Sequence, residues 1–260
     1  MVIGKTLSLL ERKELYLEMM DEIDSFCRKH NIRYSLTCGT LIGAIRHKGF
    51  IPWDDDLDIA MPLPDMLKFK NIFKSSNLRY VDCDIDNSYR YPFARIESLN
   101  TYNKIGMFNK SFGLSIDLYP ILGLPNTNEE ISSFLENAKL LCNKRLNIMK
   151  WHSRIARVLP FTHTPILSRI VRKYRNYMYQ FPFEYSNRFY HMGGYPNWKA
   201  VQDKNYFEEF VDVDFEGRKY MAVKDYDDYL RHGYGDYMQF PPEEQRHPYH
   251  GGHYFWKEKK

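Results

Sequence analysis

The chain has few cysteines, and no two of them lie close together. Cys27, Cys38, Cys83 and Cys142 are the four present, without a C-x-x-C pair. A zinc site built on cysteine pairs therefore has nothing to stand on, and so sparse a set at this length makes no disulfide framework. Buried thiols in a reducing compartment are expected. Long apolar runs are also missing. No stretch approaches the ~20 residues that span a bilayer, and Met1-Val2-Ile3-Gly4-Lys5 is not a basic leader followed by an apolar segment. These absences point to a cytoplasmic chain, with peripheral contact at the inner face of a membrane left open. There is no internal repeat or low-complexity tract. With 43% hydrophobic and 27% charged residues, wholesale disorder and fibrous classes are excluded.

The most telling absence is local. From Asn137 to Phe183 there is no Asp or Glu, while ten Lys or Arg residues are present. The net charge of +4 therefore hides two opposite parts: without that segment, 27 basic residues face 33 acidic ones, a net −6. The segment is mostly helical in pattern, broken by Pro160 and Pro165. It suits an anionic acceptor, an anionic membrane surface or a nucleic-acid backbone. No nucleic-acid-binding module signature accompanies it, so nucleic acid is disfavoured.

Helical and strand periods alternate along the chain, which predicts a mixed α/β (α+β) fold. Leu7–His30 carries Tyr16, Met19, Met20, Ile23, Phe26 and Cys27 at helical spacing. Ile32–Thr37 reads as a strand, followed by the Cys38-Gly39-Thr40-Leu41-Ile42-Gly43 turn into a helix-like stretch. Leu57–Met61 reads as a strand and Asp65–Phe73 as a helix. Tyr80–Cys83, Pro92–Ile96, Thr101–Phe108 and Leu114–Tyr119 are short strand candidates, with Pro120 as a boundary. Thr127 or Asn128, ahead of Glu129 and Glu130, starts a helix. Phe210–Phe215 and Lys219–Val223 flank Glu216-Gly217-Arg218 as a hairpin.

The strongest chemical signal is Asp54-Asp55-Asp56-Leu57-Asp58. Asp56 and Asp58, two apart on the expected strand, direct both carboxylates to one face. Their repulsion is relieved by a divalent cation, and Asp117, between Ile116 and Leu118, is a third oxygen ligand. Oxygen ligands suit Mg²⁺ (or Mn²⁺), and the Gly39-Thr40 turn offers N–H groups to a phosphate beside it. An EF-hand fails on Ile59 and Asp65 at its sixth and twelfth positions. An aspartyl-phosphate nucleophile fails because Ile51-Pro52-Trp53 is not an apolar strand. Phosphoryl or nucleotidyl transfer is what remains.

Asp54 shares the phase of Asp56 and Asp58 and is expected to hold water on the metal, ahead of Asp55. Pro52 and Trp53 are expected to pack the loop. Arg46, His47 and Lys48 are candidate phosphate contacts, with a basic surface turn as the alternative for Lys48. Arg95 and Glu97 make either an ion pair on the sheet or a substrate contact. The tail gathers Tyr234, Tyr237, Tyr249, Tyr254 and Trp256, and spaces His247, His250 and His253 three apart. A loop or phosphate contact is preferred over a metal site for these histidines.

Leu36-Thr37-Cys38-Gly39-Thr40-Leu41-Ile42-Gly43-Ala44-Ile45-Arg46-His47-Lys48-Gly49-Phe50-Ile51-Pro52-Trp53-Asp54-Asp55-Asp56-Leu57-Asp58-Ile59 resembles the signature of the LicD family of phosphocholine transferases. That family is related to fukutin-related protein and belongs to the nucleotidyltransferase-fold superfamily. Ala94–Ser98, Ser115–Pro120 and Ala222–Glu244 are similar as well; over Asn137–Phe183 the resemblance is weak. The resemblance implies a nucleotidyltransferase-like mixed sheet flanked by helices. It implies a catalytic core over 1–136, a basic helical insert over 137–183, and a C-terminal part over 184–260 that completes the single domain. It implies metal carboxylates at Asp56, Asp58 and Asp117, and a phosphate turn at Gly39-Thr40. It also implies transfer of a substituted phosphate group from a cytidine diphosphate (CDP) donor to a sugar hydroxyl of a cell-surface glycan, such as a lipopolysaccharide, teichoic acid or capsule, with a lipid-linked acceptor possible. Ribitol or glycerol phosphate is the alternative group, and a nucleotidyltransferase or nucleic-acid-binding role the alternative class. Asp117 either helps to deprotonate the acceptor or only ligates metal. The cysteine cluster of fukutin-related protein is missing, so no zinc is carried over.

Overall fold

In a computed structural model, which describes residues 4–103, 112–155, 165–248 and 253–257, the chain opens with α1 (Leu9–Lys29). Tyr16, Met19, Met20, Ile23 and Cys27 form its buried side, at the predicted spacing. Ser8 and Glu11 cap its start reciprocally: the Glu11 N–H donates to Ser8 Oγ at 3.2 Å and the Ser8 N–H to the Glu11 carboxylate at 2.8 Å. β1 (Ser35–Leu36), α2 (Cys38–His47), β2 (Asp58–Pro62) and α3 (Leu63–Ile72) follow. Next come β3 (Leu78–Val81), β4 (Ala94–Ser98), β5 (Thr101–Asn103) and β6 (Ser115–Gly123). Two long helices, α4 (Asn128–Ile155) and α5 (Pro165–Met178), precede β7 (Arg188–His191), β8 (Val201–Asp203), β9 (Phe210–Phe215) and β10 (Arg218–Val223). α6 (Tyr226–Tyr234) and β11 (Tyr254–Trp256) end the described chain.

Seven strands make one mixed sheet in the order β1-β2-β6-β4-β3, with β7 added to β6 and β8 to β7. β2 and β6 run parallel, and the other pairs are antiparallel. With helices packed around this sheet, the chain is the mixed α/β fold its periodicities predict. The hairpin also forms: β9 and β10 pair along their full lengths, and Glu216 and Gly217 both take positive φ between them.

Three expectations are corrected. The strand carrying the acidic run begins at Asp58, so Asp56 lies in the loop before it rather than two along the same strand. Pro120 does not end its strand. β4 pairs with β6 only as far as Leu118, and β7 pairs with it only from Ile121, so Pro120 falls in the gap where no N–H is required on that side. The strand expected over Thr101–Phe108 is Thr101–Asn103, with 104–108 outside the described residues.

α4 and α5 pack on each other and, through Leu167, Ile170 and Val171, on Val81, Cys83 and Tyr89. Part of the basic segment is thereby spent inside the protein. Arg175 Nη1 donates to Asp84 at 2.5 Å, and Arg172 Nε donates to the Cys83 carbonyl at 3.0 Å. Lys70 of α3 closes on the same loop, donating to Asp82 at 2.6 Å and Asp84 at 2.9 Å.

Candidate active site

Three strands and one loop converge on a row of side chains across the sheet. At its start the Thr37 N–H donates to the Asp58 carbonyl at 3.2 Å. Asp58 on β2 is in register with Asp117 on β6, and Asp117 with Arg95 on β4. Residues in register on neighbouring strands share a face, so Asp58, Asp117 and Arg95 stand side by side. Asp56 reaches the same place from the preceding loop, close enough for its charge to act on Asp58.

The β1–α2 turn fixes this row. Cys38 takes a left-handed φ of 50° where the chain leaves β1, and α2 starts there. Thr40 Oγ1 accepts a hydrogen bond from the Asp58 N–H at 2.9 Å, tying the helix start to the strand start. A Cβ at Gly39 would lie 2.5 Å from Asp54 Oδ2, so glycine lets Asp54 rest against the helix. The turn expected to hold a phosphate thus also positions two of the aspartates.

Electrostatically the row is under stress. Asp58 is 7% exposed, and its Oδ1 has no hydrogen-bond partner. Burial foremost, then the charges of Asp56, Asp117 and Asp54, hold its pKa well above the usual carboxylate range. Asp54 is pushed up to about 7 by burial and by Asp56, to which it hydrogen-bonds. Asp117 accepts from Arg95 Nε at 2.6 Å and from the Tyr119 hydroxyl at 3.4 Å. Among the described residues, no three Asp, Glu, His or Cys side chains close into a ready cation cage. The orphaned, buried Asp58 oxygen beside further carboxylates nevertheless fits an oxygen-seeking divalent ion, which would relieve the burial and repulsion that raise its pKa.

Asp55 is not in the row. Its side chain is covered and faces Arg12 of α1 at 3.7 Å, whereas Asp54 sits beside Asp56, as the phase of the run suggests. Arg95 and Glu97 do not pair with each other in the way one expectation had it. Arg95 takes Asp117, while Glu97, fully buried, takes Arg79 at 2.7 Å. Arg46, His47 and Lys48 end α2, on the turn leading away from its start at Cys38. Arg46 Nη1 is already committed to the Tyr237 and Gln239 carbonyls at 2.5 and 3.0 Å, and its guanidinium lies 4.8 Å over Phe240. His47 packs on Trp53 and Phe240, and Lys48 is exposed in a left-handed cap. This geometry ties Arg46 and His47 to the C-terminal segment rather than to the carboxylates. Of the spaced histidines, His250 lies outside the described residues, as does Tyr249.

Beside the row opens a cavity of about 270 Å³. Thr37 and Tyr119 form its border with the carboxylates, and Tyr234 from α6, His191 from β7 and Gln202 from β8 form its wall. Burial lowers the His191 imidazole to about 4, so it is neutral at physiological pH. No motif announced His191 or Gln202. They come from two strands of three or four residues that pair only with β6 and each other. Lys13 of α1, whose ammonium lies 4.9 Å over Phe50 and feels the charges of Asp54 and Asp55, was likewise hidden in an amphipathic pattern.

Residues 31–145 match the family model described as LicD/FKTN/FKRP, nucleotidyltransferase domain. The chain is 29% identical to the lipopolysaccharide cholinephosphotransferase LicD of Haemophilus influenzae, over 95% of its own length and 97% of that protein's. It is 42% identical to an uncharacterized protein of Rickettsia typhi, over 26% of its own length and 22% of that protein's. The matched segment contains the β1–α2 turn, the acidic loop, Arg95 and Asp117, so residues 31–145 carry a LicD-family domain, and the similarity to the Haemophilus protein runs on through the cavity wall.

Proposed function

We propose that this protein is a transferase that moves phosphocholine from a CDP-activated donor to a sugar hydroxyl of a cell-surface glycan, with Mg²⁺ as cofactor. The observation that carries the reading is end-to-end similarity to a lipopolysaccharide cholinephosphotransferase. The aligned Asp58 and Asp117, with an unpartnered oxygen between like charges, support it chemically. Asp56, Asp58 and Asp117 would hold Mg²⁺, which supplies charge neutralisation for the donor's pyrophosphate. Thr40 and Gly39 keep Asp58 and Asp54 in place. Arg95 holds Asp117 in orientation, and its guanidinium is placed to meet phosphate oxygens. Asp117, with Tyr119 donating to its second oxygen, takes the proton from the acceptor hydroxyl.

The reading is checked by melting the protein with CDP-choline, CDP-ribitol and CDP-glycerol, with and without Mg²⁺. CDP-choline plus Mg²⁺ is expected to raise the Tm most, by mass action on the folded state, and to release CMP when acceptor glycan is added. Absence of both responses with CDP-choline would remove the proposed donor.

No helix among the described residues is long and apolar enough to cross a membrane. For a lipid-linked acceptor, we assign membrane contact to α4 and α5. Leu140, Trp151 and Ile166 are exposed there among Lys144, Arg169 and Lys173, with no acid between Asn137 and Phe183. Vesicles rich in anionic lipid should co-sediment the protein at low salt and release it at about 0.5 M salt, where the Debye length falls below ~5 Å. No sedimentation at low salt would sink this assignment.

A further inference from the structure

Exposed aromatic side chains gather at the cavity beside the carboxylates. Tyr195 and Trp198, on the loop between β7 and β8, are each 43% exposed, and Tyr234 of α6 is 52% exposed. Tyr195 and Tyr234 line the cavity, and Trp198 lies between Asn197 and Lys199, which line it too. The turn that begins at Trp198 packs on α6. Exposed aromatics scattered singly need no account, but a group of them at one opening marks a surface that receives a ligand. The approach is open, since Gly194 and Gly233 also line the cavity and a Cβ on either would meet nothing within 4 Å.

The surface is also held in place. The Tyr234 hydroxyl hydrogen-bonds the Cys38 thiol at the start of α2, and Asn197 Nδ2 donates to the Tyr195 carbonyl at 2.7 Å. Side chains ordered beforehand give up little freedom on binding. Thr37 and Tyr119 border the cavity on the side of the carboxylates. The Tyr119 hydroxyl donates to Asp117 at 3.4 Å, so a ligand that enters past the rings arrives at Asp117.

The chemistry of the wall narrows the ligand. Among the described residues no Asp, Glu or Arg lines the cavity, and the His191 imidazole is neutral. A pyrophosphate calls for cations. Arg95, the cation of the carboxylate row, stands on β4, and no residue of β4 lines the cavity. A sugar ring is better served. It has a face of C–H groups, which carry slight positive charge and stack on the electron-rich faces of aromatic rings. It has an edge of hydroxyls, which the exposed Asn197 amide and Lys199 ammonium can meet.

We infer that Tyr195, Trp198 and Tyr234 form the platform on which a sugar of the acceptor glycan stacks, and that the cavity is the acceptor's entrance to Asp117. This rests on the proposed transfer to a sugar hydroxyl and deepens it, because it names the surface that holds the acceptor.

The test uses the full chain and, as probe, the lipid-free oligosaccharide that mild acid releases from lipopolysaccharide. Calorimetry reads its binding, and CMP release reads the KM values for it and for CDP-choline. Wild type is expected to bind the oligosaccharide with no lipid present. Tyr195→Ala and Trp198→Ala should each raise its Kd and KM roughly five- to tenfold, the worth of one aromatic stack, and leave the KM for CDP-choline unchanged. Tyr195→Phe and Trp198→Phe keep a ring face and should stay within about twofold of wild type. Wild-type oligosaccharide affinity in both alanine variants, with CDP-choline still turned over, would overturn the platform and spare the transferase reading. A raised KM for CDP-choline with oligosaccharide binding intact would give the cavity to the donor and overturn the platform. Loss of binding to anionic vesicles alone would make the rings a membrane contact and overturn it as well. Ring-dependent oligosaccharide binding by a protein that releases no CMP from CDP-choline would uphold the platform and remove that donor. Wild type that bound no oligosaccharide would remove the platform, whatever the donor assay gave.

Discussion

Asp58→Asn is expected to lower phosphocholine transfer by about 10³-fold or more while raising the melting temperature of the metal-free protein. The loss follows from the role proposed for the carboxylate: taking one ligand from a metal that neutralises a pyrophosphate removes on the order of 4 kcal/mol of transition-state stabilisation. The gain follows from the surroundings. Asp58 is buried, its Oδ1 lacks a partner, and Asp56, Asp117 and Asp54 press on it with like charge. A neutral side chain of the same shape removes that repulsion. The sign with pH is definite. Asp58 binds its proton more tightly when folded, so it contributes stability that is full below the ordinary carboxylate range and is lost as pH rises from there up through its raised folded value, and the Asn variant should lose less. At neutral pH a gain of about 1–2 kcal/mol would raise the Tm by roughly 2–8 °C for a chain of this size. Mg²⁺ should then raise the Tm of wild type and leave that of the variant nearly unmoved. Calorimetry with and without Mg²⁺, beside a CMP-release assay, reads all of this. A variant that turned over like wild type, or melted below it without metal, would take Asp58 out of the proposed site.

The carboxylates were legible because they sit in short, dense motifs: Asp54 to Asp58 in one run, Asp117 between two strand-forming apolar residues. Their juxtaposition was not. Asp58 and Asp117 are 59 positions apart, and only the parallel pairing of β2 with β6 puts them in register. The same limit explains Arg95. Along the chain its neighbour of opposite charge is Glu97, but across the sheet its partner is Asp117, and Glu97 finds Arg79. Local periodicity sees i and i+2, whereas the ladder decides which carboxylate a guanidinium meets. The basic segment teaches the reverse lesson. Its charge was plain, but Asp84, which takes Arg175, lies 91 positions away, so composition alone overstated the free charge. The cavity was the least legible part. Its wall comes from brief strands and a helix between Tyr190 and Tyr234 whose residues, a glutamine, a histidine and scattered tyrosines, form no pattern until β7 adds to β6.

Gly43→Ala is expected to destabilise the protein by about 2–4 kcal/mol, although glycine to alanine inside a helix ordinarily gains up to ~1 kcal/mol. The two effects oppose each other, and geometry decides between them. A Cβ on Gly43 would lie 2.4 Å from the Gly49 carbonyl oxygen and 3.2 Å from the Ile51 nitrogen, both backbone atoms. The loop cannot give way easily. Lys48 caps α2 in a left-handed conformation, and the Gly49 N–H donates to the Gly43 carbonyl at 3.3 Å. On its other side the β9–β10 turn holds it: the Glu216 N–H donates to the Lys48 carbonyl at 2.8 Å, and Glu216 Oε1 accepts from the Phe50 N–H at 3.0 Å. Gly49 itself has no room to shift, since a Cβ on it would already meet Glu216 Oε1 at 2.2 Å. Because this loop leads into Asp54, Asp56 and Asp58, the strain should reach the site, and activity should fall with the Tm. Gly39→Ala contrasts with it. Its Cβ would meet the end of the Asp54 side chain at 2.5 Å, which can rotate away, so it should cost activity more than stability. Gly233→Ala, in α6 with nothing within 4 Å, should be neutral or stabilising by about 0.5–1 kcal/mol. Thermal melts of the three variants therefore separate backbone collision, side-chain displacement and helix propensity. A Gly43→Ala protein that melted with Gly233→Ala would show that the α2–loop contact yields, and the tight delivery of the aspartates argued from it would fall.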